Sequence, residues 1–293
     1  CFIALTASGR IARLPENPGT AMAKRSKHDA FACEFATTTR SDLIFVTSRG
    51  RGLRIHAADV PPSQSLALGE SFVDAADFLG LKGDERLLLV IEANENTQLA
   101  LGTSQGVVKR VLADYPLKDD FELIALRDDD EVIGAAVATD SSELVFVTSD
   151  AQLLHYPANL VRPQGRPAGG MAGINLSDGA KVIFFGAVSD ASEAVVFTAA
   201  NSSAALAGTD AGSAKLSLLD EFPGKGRATG GVRAQRFIRG EDQLYFAWVG
   251  DAEPRGLTPE GKPLALPIEP MKRDASGSPL SGFIGSVGTA RVE

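Results

Sequence analysis

The chain is short of the residues from which most catalytic and metal sites are built: among 293 residues it has two cysteines, three histidines, three tyrosines and one tryptophan. Cys1 and Cys33 have no metal-ligand spacing. His28, His56 and His155 are scattered, with no local Ser, Cys or carboxylate arrangement that would activate a nucleophile. Two free thiols fit a reducing compartment, so a cytoplasmic location is expected. No apolar run is long enough for a membrane-spanning helix, which leaves no expected membrane partner. Thirty glycines and fifteen prolines, with few heptad-like runs, argue against a helical bundle. The chain opens on "CFIALTASG", already inside a strand-like run, as a piece of a longer protein would.

Positive charge is also scarce, but it is segregated. The net charge is −8, composed of +4 over residues 1–60, −12 over 61–160, +3 over 161–240 and −3 over 241–293. An acidic chain with this distribution still admits a polyanion partner, provided that the contact is confined to part of the perimeter.

Self-similarity is the strongest signal present. A short apolar strand ending in Thr, then a turn and a second strand, recurs as "FIALTASGRIARL", "LIFVTSRGRGLRI", "LALGTSQGVVKRV", "LVFVTSDAQLLHY", "AVVFTAANSSAAL" and "RGLTPEGKPLAL". Thr6, Thr47, Thr103, Thr148, Thr198 and Thr258 are spaced by 41, 56, 45, 50 and 60 residues. A further strand-like run follows each hairpin, for example "RLLLVIEAN" and "KVIFFGAVS". A period near fifty with several strands per unit predicts an all-β, propeller-like array of six antiparallel blades forming one domain. The approximate blades are 1–40, 41–97, 98–140, 141–191, 192–252 and 253–293. In the fifth, residues 201–214 have linker composition and read as a mobile surface loop.

Two glycine-basic loops stand out. "FPGKGRATGGVRAQRF" holds Gly224, Gly226, Gly230 and Gly231 with Lys225, Arg227, Arg233 and Arg236, and Arg239 follows. "LVRPQGRPAGGMAGINL" holds Arg162 and Arg166 with Gly165, Gly169 and Gly170. Both fit the frame G-R-x-x-G-G-[MV]-x-[AG]. Glycine lets the backbone approach a ligand closely, and Arg and Lys supply what phosphate oxygens bind. The hairpin "SRGRGLRI" adds Arg49, Arg51 and Arg54, where incidental arginines on a glycine turn are nearly as good a reading as a polyanion contact. Lys109 and Arg110 lie in the acidic third, which weakens any phosphate attraction there. "LRDDDEVIG" reads as a tight turn rather than a cation site, and Trp248 as a packing residue.

The frame, the "LVFVTS" and "GVVKR" strands and the "ADYP" and "DEFP" turns resemble the C-terminal domain of the A-type subunit of bacterial type IIA topoisomerases, the DNA gyrase and topoisomerase IV family. The resemblance implies a six-bladed β-pinwheel whose blades exchange strands, and a basic rim around which duplex DNA bends. It implies no catalytic residue and no cofactor or metal in this domain; ATP and magnesium belong to the full enzyme. The cleaving tyrosine would lie in the N-terminal core of the same polypeptide, the direct partner, with the B-type subunit of the heterotetramer an indirect one. Tyr115, Tyr156 and Tyr245 do not sit in surroundings like those of the cleaving tyrosine. The implied location is the cytoplasm, at the nucleoid.

One departure bears on activity. The region matching the first-blade gyrase A-box, "ENPGTAMAKRSKHDAF", is basic through Lys24, Arg25 and Lys27 but carries no box. That favours a topoisomerase IV-like protein serving decatenation or relaxation. The alternatives are a gyrase wrapping domain with its box displaced to "GKGRATGG" in blade five, or a propeller serving as a protein-interaction platform. A propeller hydrolase is disfavoured, because the acidic residues fall in turns. The cations predict a basic arc through blades one, two, four and five that skips the third.

Overall fold

The computed structural model describes residues 1–16, 25–63, 71–206 and 209–290. Six hairpins form its frame: Phe2–Thr6 with Arg10–Leu14, Asp42–Thr47 with Arg51–His56, Leu99–Thr103 with Val107–Val111, Glu143–Thr148 with Gln152–Pro157, Val195–Asn201 with Ser213–Leu218, and Pro254–Leu257 with Pro263–Leu264. The first strand of each hairpin also pairs with a later strand of its own repeat: Phe31–Ala36, Leu87–Glu92, Val132–Val137, Val182–Val188, Gln243–Gly250 and Ser286–Thr289 respectively.

The outer strand of each of the first five blades comes from the next repeat. Val73–Asp74 pairs with blade one, Asp120–Glu122 with blade two, Pro163–Gln164 and Met171–Ala172 with blade three, Val232–Arg233 with blade four and Ser278–Pro279 with blade five. This is the strand exchange of a β-pinwheel. The chain therefore crosses to the preceding blade and returns in each of repeats two to six, and these crossovers form the outer edge. Blades one and six meet through Thr289 paired with Phe31, the His28 N–H donated to the Gly261 carbonyl at 2.8 Å and Arg25 Nη2 donated to the Gly256 carbonyl at 2.9 Å.

The recurring threonine is a hairpin device. The Oγ1 of Thr6, Thr103 and Thr148 accepts the N–H of Arg10, Val107 and Gln152 at 3.0, 3.2 and 3.0 Å. Three residues after the threonine the chain takes positive φ, at Gly9, Gly50, Gly106 and Gly261, but at Ala151 in blade four. This is the three-residue turn with a left-handed closing residue that suits the strand twist. The fifth repeat departs from the sequence alignment. The strand bulge that falls just before Thr6, Thr47 and Thr148 falls just before Ala200, so Ala200, not Thr198, holds the equivalent place. The insertion is also shorter than expected, since Ser213 and Ala214 are buried in the second strand. Its described ends are fastened, with Asp210 accepting the Ser202 N–H and Asp242 the Ser203 N–H.

Period-two alternation explains why the strands read as unbroken apolar runs. In Asp42–Thr47, Leu43 and Phe45 face a cluster shared with blade one, whereas Ile44 and Val46 face one shared with blade three. In Glu143–Thr148, Leu144 and Phe146 face blade three and Val145 and Val147 face blade five. Blades two to five are each sandwiched between neighbours, so both of their faces must be apolar. Trp248 packs into the cluster with Phe197 and Leu216. Asp130 closes the acidic turn by accepting from Ser104 Oγ and from the N–H groups of Gln105 and Glu131.

Candidate nucleic-acid interface

The two glycine-basic loops occupy equivalent crossovers. Gly170 precedes Met171, which pairs with Val108 of blade three; Gly231 precedes Val232, which pairs with Leu153 of blade four. A Cβ on Gly170 would stand 2.7 Å from the Val108 carbonyl oxygen, and one on Gly231 2.6 Å from that of Leu153. These glycines are therefore needed for close contact with the neighbouring blade. Gly226 and Gly230 have open space around them, Gly165 meets only Pro167, and Gly169 lies near the Ala125 carbonyl.

A third crossover has the same construction. Gly277 precedes Ser278, which pairs with Ala214 of blade five, and its Cβ would clash with Ser213 and Ala214. Counting back four residues from Gly170, Gly231 and Gly277 gives Arg166, Arg227 and Arg273. Sequence reasoning missed Lys272 and Arg273 because this loop lacks the preceding glycine and the double glycine. The surviving signal is an Arg four residues before a Gly that opens a short strand.

Neighbouring crossovers are stitched together by backbone hydrogen bonds. The carbonyl two residues after each of those arginines accepts an N–H from the preceding crossover: Ala168 from Ala125 at 3.4 Å, Thr229 from Asn175 at 3.0 Å and Ala275 from Arg236 at 3.1 Å. Ala228 also donates to the Gly173 carbonyl at 2.8 Å, and Arg227 to that of Ala172. Arg236 Nε donates to Asp274 O and Arg273 Nη1 to Arg233 O, each at 3.4 Å. The result is one continuous edge carrying Arg162, Arg166, Lys225, Arg227, Arg233, Arg236, Lys272 and Arg273. Residues 160–176 and 222–236 contain no Asp or Glu.

On this edge the cations form no ion pair with another described residue; they cap carbonyls or reach solvent. Arg162, Arg233 and Arg236 are exposed, and Lys225 Nζ bends to the carbonyls of Gly230 and Gly231 at 3.2 Å. The Arg166 guanidinium lies 5.9 Å over the Phe121 ring. Arg239 is exposed on the Ile238–Glu241 turn, past the crossover. Lys27 is exposed in repeat one, and Lys24 lies outside the described residues.

The cations of blade two and Arg25 of repeat one are occupied by carboxylates. Arg49 pairs with Asp84. Arg51 holds Glu85 in a bidentate pair, Nε–Oε1 at 3.0 Å and Nη2–Oε2 at 2.9 Å, and also pairs with Asp120. Glu85 holds the Arg51 proton more firmly through that hydrogen bond, against the opposing effect of burial. Arg54 pairs with Asp42 and donates to the carbonyls of Pro116 at 2.8 Å and Tyr115 at 2.9 Å. Arg25 is bound to Asp29 at 2.9 Å. In the acidic third, Lys109 and Arg110 are fully buried. Lys109 Nζ donates to the carbonyls of Leu123, Arg166 and Ala168 at 2.8, 2.8 and 2.7 Å, and Lys215, at the equivalent register in blade five, to those of Lys272 and Arg273. Burial pushes both ammonium groups down to about 8. These lysines fasten crossovers from beneath.

The family model described as DNA gyrase C-terminal domain, beta-propeller, matches residues 41–91, 122–139, 142–189 and 205–241. The chain is 28% identical over 234 residues to the DNA gyrase A-type subunit of Mycobacterium bovis, covering 77% of this chain and 26% of that protein. It is 29% identical over 228 residues to its counterpart in Streptomyces coelicolor, covering 73% and 25%. It thus spans about a quarter of the relatives it matches. Among solved structures, a topoisomerase IV C-terminal domain aligns with a TM-score of 0.76 at 18% identity over 98% of this chain and 91% of the other. A DNA gyrase A C-terminal domain aligns at 0.66 and 15%, over 99% of each. Sheet order, strand exchange and family match agree, and the chain belongs to the DNA gyrase C-terminal domain family of β-propellers.

Proposed function

We propose that this chain is the non-catalytic DNA-binding and DNA-bending domain of the A-type subunit of a type IIA topoisomerase, presenting duplex DNA to the cleavage core of the same polypeptide. What supports the reading is the stitched edge from Arg162 to Arg273, where three copies of one crossover set an arginine at the same place and no carboxylate intervenes over 222–236. Such an edge binds phosphates without reading bases. A curved edge also bends a stiff duplex, at a cost of several kcal/mol that distributed contacts offset.

The duplex track runs through crossovers four, five and six, a shorter arc than the sequence suggests, since Arg49, Arg51 and Arg54 are paired internally. With no box in repeat one, we assign the parent enzyme to decatenation or relaxation, acting with the B-type subunit, ATP and magnesium at the nucleoid. Two observations favour gyrase-type wrapping instead: "GKGRATGG" occupies the central crossover of the edge, and the curated relatives carry the gyrase name. The test is duplex affinity against salt for the Lys225→Ala/Arg227→Ala variant. We expect weaker binding to unrelated sequences alike and a log K versus log salt slope smaller by up to about two. An unchanged slope overturns the reading. Incubating relaxed circular DNA with the domain and a nicking-closing enzyme separates bending from wrapping.

A further inference from the structure

Each of the first four blades places a basic side chain seven residues after its turn threonine, on the second hairpin strand: Arg13, Arg54, Arg110 and His155. All four reach carbonyls of the incoming crossover. Arg13 Nε donates to Val60 O at 3.3 Å, Arg54 to Pro116 and Tyr115, and Arg110 Nη1 to Ala158 and Val161 at 3.2 and 3.3 Å. His155 Nε2 lies 2.9 Å from Phe222 O. In three blades the residue five before the threonine supports this side chain from the first strand: Asp42 on Arg54, Gln98 on Arg110, and Glu143 on His155, with Nδ1–Oε2 at 2.9 Å.

Three of these latches are arginines, permanent cations; the fourth is a histidine, whose ring exists in both neutral and doubly protonated forms. Both of its ring partners, a carboxylate and a carbonyl, only accept hydrogen bonds. The ring satisfies both only when both nitrogens carry protons. It is 7% exposed and lies directly beneath Gly224, and its own carbonyl accepts the Lys225 N–H at 3.2 Å. The charged groups on the elements around it are Glu143 on the adjacent strand, Asp220, Glu221, Lys225 and Arg227 on the crossover, and Arg233 on the short strand paired on the other side.

We propose that His155 is a positioning residue for the duplex track: its doubly protonated ring fixes the Phe222–Lys225 turn, and loss of the Nε2 proton to solvent, with the Nδ1 proton kept on Glu143, removes the hydrogen bond to the Phe222 carbonyl, releases that turn and weakens the contact of Lys225 and Arg227 with phosphate. The proposal rests on the DNA-binding reading above. By reciprocity, duplex binding favours proton uptake by the domain.

The experiment measures duplex affinity of the chain at pH 6 and pH 8 at constant ionic strength, together with exchange of the Lys225 amide without DNA. Wild type is expected to lose roughly tenfold in affinity across that range, the worth of one charge-assisted hydrogen bond. Its Lys225 amide should lose protection beyond the intrinsic effect of pH. His155→Arg, a permanent cation as in blades two and three, should hold both constant. Should that variant fail to fold, His155→Gln, a donor indifferent to pH, supplies the flat reference. Equal pH dependence in wild type and variant overturns the proposal, as does protection that ignores pH in wild type. Protection that follows pH without duplex binding at any pH keeps the latch and removes the DNA-binding reading.

Discussion

Lys109 Nζ and the Arg166 carbonyl lie 2.8 Å apart, so an ammonium buried in blade three holds the backbone of the half-exposed arginine whose guanidinium lies over Phe121 on the outer edge one repeat later. Two cations thus divide the labour within one crossover: one is hidden and structural, the other outward. The same division recurs with Lys215 beneath Arg273.

The outward cations should behave interchangeably. Arg166→Ala, Arg227→Ala and Arg273→Ala are each expected to reduce the salt slope of duplex binding by about one, with no change in sequence preference. Arg51→Ala should leave the slope untouched and lower stability instead, by about 1–3 kcal/mol, because Glu85 loses its bidentate partner. Anisotropy titrations at several salt concentrations and urea unfolding check the two halves.

Glycines that look alike in sequence should separate on substitution. Gly170→Ala puts a Cβ against backbone at φ 81° and is expected to cost about 2–4 kcal/mol, by strain and by loosening the crossover. Gly226→Ala, with open space around it, should stay within about 0.5 kcal/mol. Urea midpoints decide.

Ala151 carries a left-handed backbone, φ 60°, where the other described hairpins of this type use glycine. Ala151→Gly is expected to leave stability within about 0.5 kcal/mol, because relief of left-handed strain is offset by the added unfolded-state entropy and by loss of a methyl buried in the cluster between blades four and five. An unchanged Tm in calorimetry, within about a degree or two, checks the balance.

Burial gives Lys215 a definite alkaline signature. Below about 8 folded and unfolded chains both hold its proton, so it contributes no slope there. Between about 8 and the ordinary 10.5, the unfolded chain binds a proton that the folded chain has released, and stability rises with pH. The urea midpoint of wild type relative to Lys215→Met should therefore increase from pH 8 to pH 10 and be level below pH 8.

The repeat was legible because the inner blades are buried on both faces, which writes runs such as "LIFVT" and "LVFVT" into the chain. The paired loops were legible because Gly170 and Gly231 meet the same constraint. What escaped depended on contacts distant in sequence. The arginines of "SRGRGLRI" look free until Asp84, Glu85 and Asp120 are brought beside them by strand exchange. Lys109 reads as an ordinary strand residue, and nothing local says that three carbonyls from two other segments converge on it. The fifth-repeat threonine misled because a two-residue shift of the bulge leaves composition unchanged. Arg273 escaped because its loop keeps only one glycine of the frame.

Closure of the array rests on an uneven set of joints. Five neighbouring pairs of blades share buried apolar clusters, whereas blade six meets blade one through contacts that include a short strand pairing, the close approach of Gly261 to the His28 ring and of Gly288 to the Phe31 backbone, the Arg25 and His28 hydrogen bonds and a 3.7 Å contact of Arg255 with Asp29. Mechanical load on the circle therefore concentrates where the first repeat meets the last. A stiff rod strapped across repeats four to six would press on a hoop whose clasp lies beside the sixth, and the hoop would yield at its clasp before any of its staves.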